Sequence, residues 1–411
     1  MSKKTEISFP TEKIKEGKIE VIVPKLNAYK SKASDYAPSK APVFYNPIME
    51  LNRDFTILAV KSFQKIIKKD IVFCEPLASS GIRCVRLAAE VPHIKKIILG
   101  DINSNAIKLS IINVKANGFD NIIKIYNKDA NLLLSQYGAP KKRLDVIDID
   151  PFGSPVLYFD TALRALCNNG MLAITATDLA PLCGVHPKAC IRKYGGKPLR
   201  TEYCQEIAIR ILSGCIIATA AKYDIGTRLL FSYSSDHYLR VYVQIKYGAK
   251  EADKSIASLG YLIHCFGCFY RESVKYPFSK KIEICPKCGS KLDWSGPLWL
   301  GKISNKEFCE MMEEENKYKA FKNNRKIRKF LSLLKAEEDG PITYFVVDKI
   351  CDKLGLPVPS VVKIIQKLQD DGFTALPTHF NPRGIRTNAQ ASKVTNLIKK
   401  YALEQVNNKK Y

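Results

Sequence analysis

The chain has 411 residues, 46% of them apolar, and carries 65 Lys and Arg against 40 Asp and Glu, a formal charge of +25. That length predicts two or three domains with cores of their own, and the basic excess points to a polyanionic partner, most simply nucleic acid. A disulfide-built secreted protein is not expected. The segment Met1-Ser2-Lys3-Lys4-Thr5-Glu6 has no apolar core, so the thirteen cysteines are expected to be reduced in a cytoplasmic protein, where paired ones read as metal ligands. No membrane span is expected, because the most apolar long segment, Ile207 to Ala221, carries Arg210 and is short for the purpose. Basic residues cluster at 61–69, 188–200 and 317–329.

Residues 1–40 are polar and lysine-rich and read as a basic arm with a β-hairpin near Lys18–Val23. From Asp70 to about Gly248, apolar runs alternate with helical patterns. Strands are predicted at Ile71–Glu75, Lys96–Gly100, Ile122–Tyr126, Asp145–Asp150 and Met171–Thr175. Helices are predicted at Arg83–Glu90, Ala106–Asn117, Ala130–Gln136 and Val156–Cys167. That order describes an α/β fold with a doubly wound parallel sheet. A longer helix, about Thr201–Tyr223, leads to strands Arg228–Ser234 and Leu239–Tyr247, joined by Ser235-Asp236-His237. An antiparallel last strand of this kind marks the methyltransferase variant of the architecture.

Ligands of such sheets bind beyond the carboxyl ends of the strands, and four polar signals fall there. Glu75-Pro76-Leu77-Ala78-Ser79-Ser80-Gly81-Ile82-Arg83 is a small-residue turn opening a helix, whose first amides can bind a carboxylate. Asp101 follows the second strand, where an acid can take the two hydroxyls of a ribose. Asp129 and Ala130 follow the third, where an acid or amide can read an adenine amino group. Each acid alone could equally be a helix N-cap. Taken in register, ribose, adenine and amino-acid carboxylate describe S-adenosylmethionine. NAD, the competing ligand, prefers a G-x-G-x-x-G turn, and none follows the first strand.

The fourth signal is Asp148-Ile149-Asp150-Pro151-Phe152-Gly153-Ser154-Pro155. An acid-Pro-aromatic turn at a strand end suits methylation of an exocyclic amine on a base. The Asp150 carboxylate and the Pro151 carbonyl can accept the amine's hydrogens, and the Phe152 ring can stack on the base. An aryl amine is a poor nucleophile because its lone pair is delocalised, so catalysis here is largely orientation.

Farther on, Cys265-Phe266-Gly267-Cys268 and Cys285-Pro286-Lys287-Cys288 form two C-x-x-C knuckles with sixteen residues between them. This is four-thiolate zinc spacing, and with no ligand position left open it predicts a structural site. Arg271, Lys275, Lys280 and Lys281 could carry this module onto RNA or simply face solvent. The other nine cysteines sit mostly in apolar contexts and read as core residues. The last ninety residues predict helices at Arg325–Glu338, Tyr344–Leu354 and Ser360–Asp371, an extended stretch Phe373–Arg386, and a final helix from Ala391. Three helices and a wing describe a winged-helix pattern. A basic loop carries His186, Lys188, Arg192, Lys193, Lys197 and Arg200, of which the arginines and lysines are candidates for phosphate contact.

The chain resembles the archaeal and eukaryotic tRNA guanine-26 N2-dimethyltransferases. The resemblance rests on the block Val43 to Asp54, which includes Asn52-Arg53-Asp54, on Ser80-Gly81-Ile82-Arg83, and on Asp150-Pro151-Phe152-Gly153-Ser154-Pro155. Thr177 to Gly184, Tyr194-Gly195 and Gly296-Pro297-Leu298-Trp299 extend it over nearly the whole chain. It implies that Arg53 and Arg83 hold the carboxylate of S-adenosylmethionine, that Asp101 takes the ribose, and that Asp129 with Ala130 takes the adenine. It implies Asp150 as the catalytic carboxylate, Phe44 and Phe152 flanking the base, and Pro151 offering its carbonyl. Glu75 departs from the aspartate the family pattern leads one to expect, and is assigned to the cofactor's amino end.

The expected organisation is a class I S-adenosylmethionine-dependent methyltransferase domain over 1–248, a zinc-binding α+β module over 249–320 and a winged-helix-like tRNA-binding region over 321–411. The expected partner is tRNA, with no obligate protein partner. Two other readings stay open. One is an amino-methyltransferase acting on ribosomal RNA or DNA adenine, which uses similar turns. The other is a non-enzymatic RNA-binding or transcription factor built from zinc ribbon and winged helix.

Overall fold

The computed structural model describes residues 6–30, 37–276, 283–317 and 321–407. The chain divides into two compact units. The first is Met1–Thr175, Tyr242–Tyr247 and Glu310–Lys329; the second is Ala176–Val241, Gly248–Cys309 and Phe330–Tyr411.

The first unit opens with the hairpin β1 (Thr11–Glu16) and β2 (Ile19–Pro24), paired from Thr11↔Pro24 to Glu16↔Ile19. Alternation buries Ile19, Val21 and Val23. The Asn113 side chain extends the ladder, accepting from Ile22 N at 2.7 Å and donating to Ile22 O at 2.9 Å. Five parallel strands follow: β3 (Ile71–Glu75), β4 (Ile94–Asp101), β5 (Ile123–Asn127), β6 (Leu144–Ile149) and β7 (Leu166–Ala176). With β8 (Ile225–Ser235) and β9 (Tyr238–Tyr247) the sheet order is β5-β4-β3-β6-β7-β9-β8. The order reverses at β3 and β6, the switch point where such sheets place their ligands. Asp236 and His237 alone separate β8 from β9, so these neighbours form an antiparallel hairpin, with Asp236 at φ +49°.

Two elements differ from expectation. Residues 156–167 do not form one helix: a 3-10 turn, Val156–Tyr158, precedes a helix at Phe159–Ala165, and β7 already begins at Leu166, paired with Leu144. The helix Glu50–Ile67 adds to the predicted elements: every residue from Leu51 to Val60 is buried, the polar Asn52, Arg53, Asp54 and Thr56 included, so its polar residues do not mark a solvent face.

In the second unit the helix Cys204–Ala221 packs against β8 and β12 (Asp293–Trp299). By length and composition it could cross a membrane, but two thirds of it is buried inside the protein. It also holds Glu206 and Arg210, which bond to each other at 2.9 Å. β10 (Leu259–His264) and β11 (Arg271–Val274) join β12 in the order β11-β10-β12. The chain then forms the helix Asn324–Glu337, which begins in the first unit, β13 (Phe345–Val346), the helices Val347–Leu354 and Val361–Asp370, β14 (Ala375–Pro377), β15 (Gly384–Thr387) and the helix Ala391–Asn407. The three short strands pair in the order β13-β15-β14 over a core that includes Ile350, Ile364, Leu368 and Ile398.

Candidate active site

The site lies in the first unit, at the carboxyl ends of β3, β4 and β6. The turn after β3 is tight. Ser79 and Gly81 have φ of +50° and +73°, and a Cβ on Gly81 would fall 2.9 Å from Ser110 Oγ. Side chains brace this turn: Ser110 Oγ donates to Ser79 O at 2.9 Å, and Asn113 Nδ2 to Ser80 O at 2.9 Å. The helix Ile82–Glu90 begins at Gly81 with no side-chain cap, so its first amides face the crevice end uncapped by the chain.

Arg83, on the first turn of that helix, is the centre of the site. It is 4% exposed. Its Nε lies 2.9 Å from Glu75 Oε1, its Nη1 2.8 Å from Asp148 Oδ2, and its Nη2 pairs with Asp150 Oδ2. Nη1 also reaches Asn52 Oδ1 and Thr56 Oγ1, both at 3.1 Å. One guanidinium therefore serves three carboxylates. Burial is the largest cause pushing the Glu75 carboxyl up, to about 8, against the pull of Arg83 and with a further push from Asp148 and Asp150. Glu75 also accepts from Cys84 Sγ at 3.1 Å.

Asp150 follows β6 directly and its side chain is 16% exposed, so it meets both Arg83 and the crevice. Pro151 behind it is buried. Phe152 is 67% exposed, and its ring meets Phe44 edge to face with centroids 4.4 Å apart. Phe44 is fixed by its backbone carbonyl, which accepts from Ser79 Oγ at 2.5 Å. The structure thus brings Phe44, Asp150, Pro151 and Phe152 to one end of the sheet.

Asp101 at the end of β4 accepts from Ser79 N and Asn103 N, each at 2.8 Å, and burial raises its carboxyl above the ordinary value. Each oxygen keeps a lone pair for a hydroxyl. Asp129 caps the helix Ala130–Ser135, with Oδ1 accepting from Asn131 N at 2.9 Å and Leu132 N at 3.1 Å, and Ala130 is buried behind it.

Arg53 has a different setting. Its Nε and Nη2 each donate to Glu16 at 2.7 Å, and Nη2 reaches Asn46 O at 3.4 Å. Its guanidinium also lies 5.6 Å from the centre of the Tyr45 ring. Glu16 in turn takes Arg86 Nη1 at 2.9 Å, and Arg86 reaches Asp54 at 2.7 Å and Glu90 at 2.8 Å. The Asn-Arg-Asp block is therefore a set of anchors: Asn52 on Arg83, Arg53 on Glu16, Asp54 on Arg86. Thr56 and Glu16 carry no sequence signal, and Asp148 opens the fourth signal without a role of its own there. The available signal for Asp148 was a second charge, besides Asp145, inside a mostly apolar strand, two residues from Asp150.

In the second unit the four Sγ atoms of Cys265, Cys268, Cys285 and Cys288 lie within 4.8 Å of one another. Lys287 N points at Cys285 Sγ from 3.4 Å, and Ile263 and Leu292 back the cluster. The donor set and its spacing fit a tetrahedral thiophilic metal. Some basic candidates are spoken for internally. Arg271 pairs with Glu202 at 2.9 Å and Lys197 with Asp293 at 2.5 Å, while Lys193 reaches Asp178 at 3.2 Å. In the first unit Lys61 pairs with Glu315. Lys188, Arg192 and Arg200 are exposed, as is His186; Lys280 and Lys281 lie outside the described residues.

A family model for N2,N2-dimethylguanosine tRNA methyltransferase matches residues 17–399. The chain belongs to this family. A tRNA (guanine(26)-N(2))-dimethyltransferase of Methanobrevibacter smithii is 41% identical over 89% of this chain and 93% of its own length. A tRNA (guanine(26)-N(2)/guanine(27)-N(2))-dimethyltransferase of Aquifex aeolicus is 36% identical over 93% and 94%. Among solved structures, Trm1 from Pyrococcus horikoshii in complex with S-adenosyl-L-methionine superposes with a TM-score of 0.81 at 32% identity, covering 94% of this chain and 99% of that one. A mixed α/β architecture with one large sheet fits a class I methyltransferase.

Proposed function

We propose that the protein transfers methyl groups from S-adenosylmethionine to the exocyclic N2 of guanosine 26 in tRNA, giving N2,N2-dimethylguanosine. The observation that carries this reading is Asp150, held by Arg83 at a strand end beside the Phe44–Phe152 ring pair, in a chain similar over nearly its whole length to tRNA guanine-26 N2-dimethyltransferases. Nothing in that similarity favours adenine or ribosomal RNA as substrate.

The residues present fit the cofactor. Asp101 offers an acceptor edge for ribose hydroxyls, Asp129 with Ala130 a polar step for adenine, and the uncapped start of helix Ile82–Glu90 a seat for a carboxylate. Arg83 and Glu75 line the amino-acid end; Arg53 supports it from behind through Asn46 and Glu16. S-adenosylmethionine supplies an electrophilic methyl on a sulfonium. The chain supplies orientation. Guanine leaves the stack and lies against Phe44 and Phe152. Asp150 accepts one N2 hydrogen, and the Pro151 carbonyl accepts the other. The nitrogen lone pair is then aimed, and the Asp150 carboxylate stabilises the positive charge that grows on nitrogen. The proton leaving N2 passes to Asp150.

Cys265, Cys268, Cys285 and Cys288 would hold one structural zinc. The elements from Asn324 to Asn407 fit a winged helix, with β14 and β15 as the wing. We assign to this region and to the exposed Arg192 and Arg200 the recognition of the tRNA body through shape and phosphates. Replacing both arginines by Ala should flatten the slope of log affinity against log salt by about 1.5; an unchanged slope removes them from the interface. The protein is proposed to act in the cytoplasm without an obligate protein partner.

The reading is tested with radiolabelled cofactor and bulk unmodified tRNA, followed by nucleoside analysis. Label in N2-methylated guanosines is expected. Label only in methyladenine, or none in the wild-type product, overturns it.

A further inference from the structure

We propose that Asp148 is a positioning residue for methyl transfer, acting on Asp150 through Arg83. This rests on the function proposed above and deepens it. Asp148 and Asp150 sit two residues apart along one strand and its end, and both reach the same guanidinium. Their exposures separate their roles. The Asp148 side chain is 0% exposed, so it touches neither base nor cofactor, whereas Asp150 is 16% exposed.

A fully buried carboxylate is costly unless it is paired and bonded. Here it pins one arm of a rigid, planar fork. Nη1 is fixed by Asp148 at 2.8 Å and by Asn52 and Thr56 at 3.1 Å. Thr56 Oγ1 is in turn within 3.2 Å of Tyr242 Oη, and Asn52 Nδ2 reaches Thr175 Oγ1 at 3.5 Å. With Nη1 held by these three acceptors and Nε in ion-pair contact with Glu75, the plane of the guanidinium is set, and with it the direction of the Nη2–Asp150 pair. Asp150 is the group that aims the amine, so its direction is a rate-determining coordinate, and a misplacement of about 1 Å costs roughly a hundredfold. Partners that lock the anchor of a reacting group keep such accuracy. Arg83 on this view belongs to the catalytic carboxylate as much as to the cofactor.

The test is Asp148→Asn in the full-length protein, which keeps shape and one acceptor but removes the charge. The measurements are kcat and KM with tRNA and the Kd of S-adenosylhomocysteine by calorimetry. We expect kcat to fall roughly 10- to 100-fold, with KM and Kd within about threefold of wild type. Thr56→Val, which removes one acceptor of Nη1 and no charge, should give a smaller fall in kcat with the same split, and guards against a folding defect in the first variant. Asp148→Asn with wild-type kcat overturns the proposal. So does a Kd that weakens as much as kcat falls, since Asp148 would then serve cofactor binding. Wild-type protein that makes no N2-methylguanosine would instead overturn the functional reading beneath it.

Discussion

The rings of Phe44 and Phe152 meet edge to face at 4.4 Å, with their planes at 89°. Edge-to-face contact at that distance leaves no space for a base between them. Phe44 is tied down through its carbonyl, and Phe152 is mostly exposed, so Phe152 is the ring that moves when a base stacks. Stacking on an aromatic ring contributes about 1–3 kcal/mol per base. Phe152→Ala should therefore lower kcat/KM for tRNA by roughly 10- to 100-fold while the calorimetric Kd for the cofactor stays put. An unchanged kcat/KM would place the base elsewhere.

Glu75 predicts a pH dependence of stability. Burial pushes its carboxyl up to about 8 in the folded protein, from an ordinary value of 4.5. The folded state thus holds this proton more tightly than the unfolded state between those limits. Stability should fall as pH rises from about 4.5 through about 8. Glu75→Gln mimics the protonated group. Its melting temperature relative to wild type should rise across that window and level off on either side. A difference that stays flat from pH 4 to pH 9 would refute the assignment.

Four thiols within 4.8 Å predict about one zinc per chain by elemental analysis. Cys285→Ser with Cys288→Ser should lose the metal and lower the melting temperature, because binding a structural metal stabilises the fold directly. Catalysis on tRNA should decline only as far as folding does. Full metal content in the double variant would sink the site.

Arg386 holds two buried carboxylates, Glu206 at 2.9 Å and Glu337 at 3.1 Å. Burial alone would raise the Glu206 carboxyl, but Arg386 and Arg210 outweigh it and bring it down to about 2. That stability is present above the unfolded value near 4.5 and is lost as pH falls toward 2. Arg386→Met should destabilise the protein by about 3–5 kcal/mol near neutral pH and narrow the gap in acid. Urea unfolding at pH 7 and pH 3 measures both; a loss under about 1 kcal/mol at pH 7 would mean the pairs are replaceable.

Strand ends, the acid-Pro-aromatic turn and the paired knuckles were legible because they depend on local chemistry. Short, mostly apolar runs, buried at nearly every position as in central parallel strands, mark Ile71–Glu75 and Leu144–Ile149, and C-x-x-C spacing marks the thiolates, with no knowledge of what lies across the fold. The helix Glu50–Ile67 was illegible because Asn52, Arg53, Asp54 and Thr56 are polar yet buried, so its polar residues do not mark a solvent face.

The sequence by itself determined the order of the elements, the family, and which residue types stand where charge must be handled. Tertiary structure alone decided who pairs with whom. Arg53 and Arg83 are equivalent letters in a motif, yet one lies on Glu16 and the other bridges Glu75, Asp148 and Asp150. The reason is physical. A buried ion pair depends on distance and desolvation, and Glu16 and Asp148 lie 37 and 65 residues away from these arginines along the chain. No local pattern records that separation, so the role of Asp148 beside Asp150 emerges only from the folded geometry.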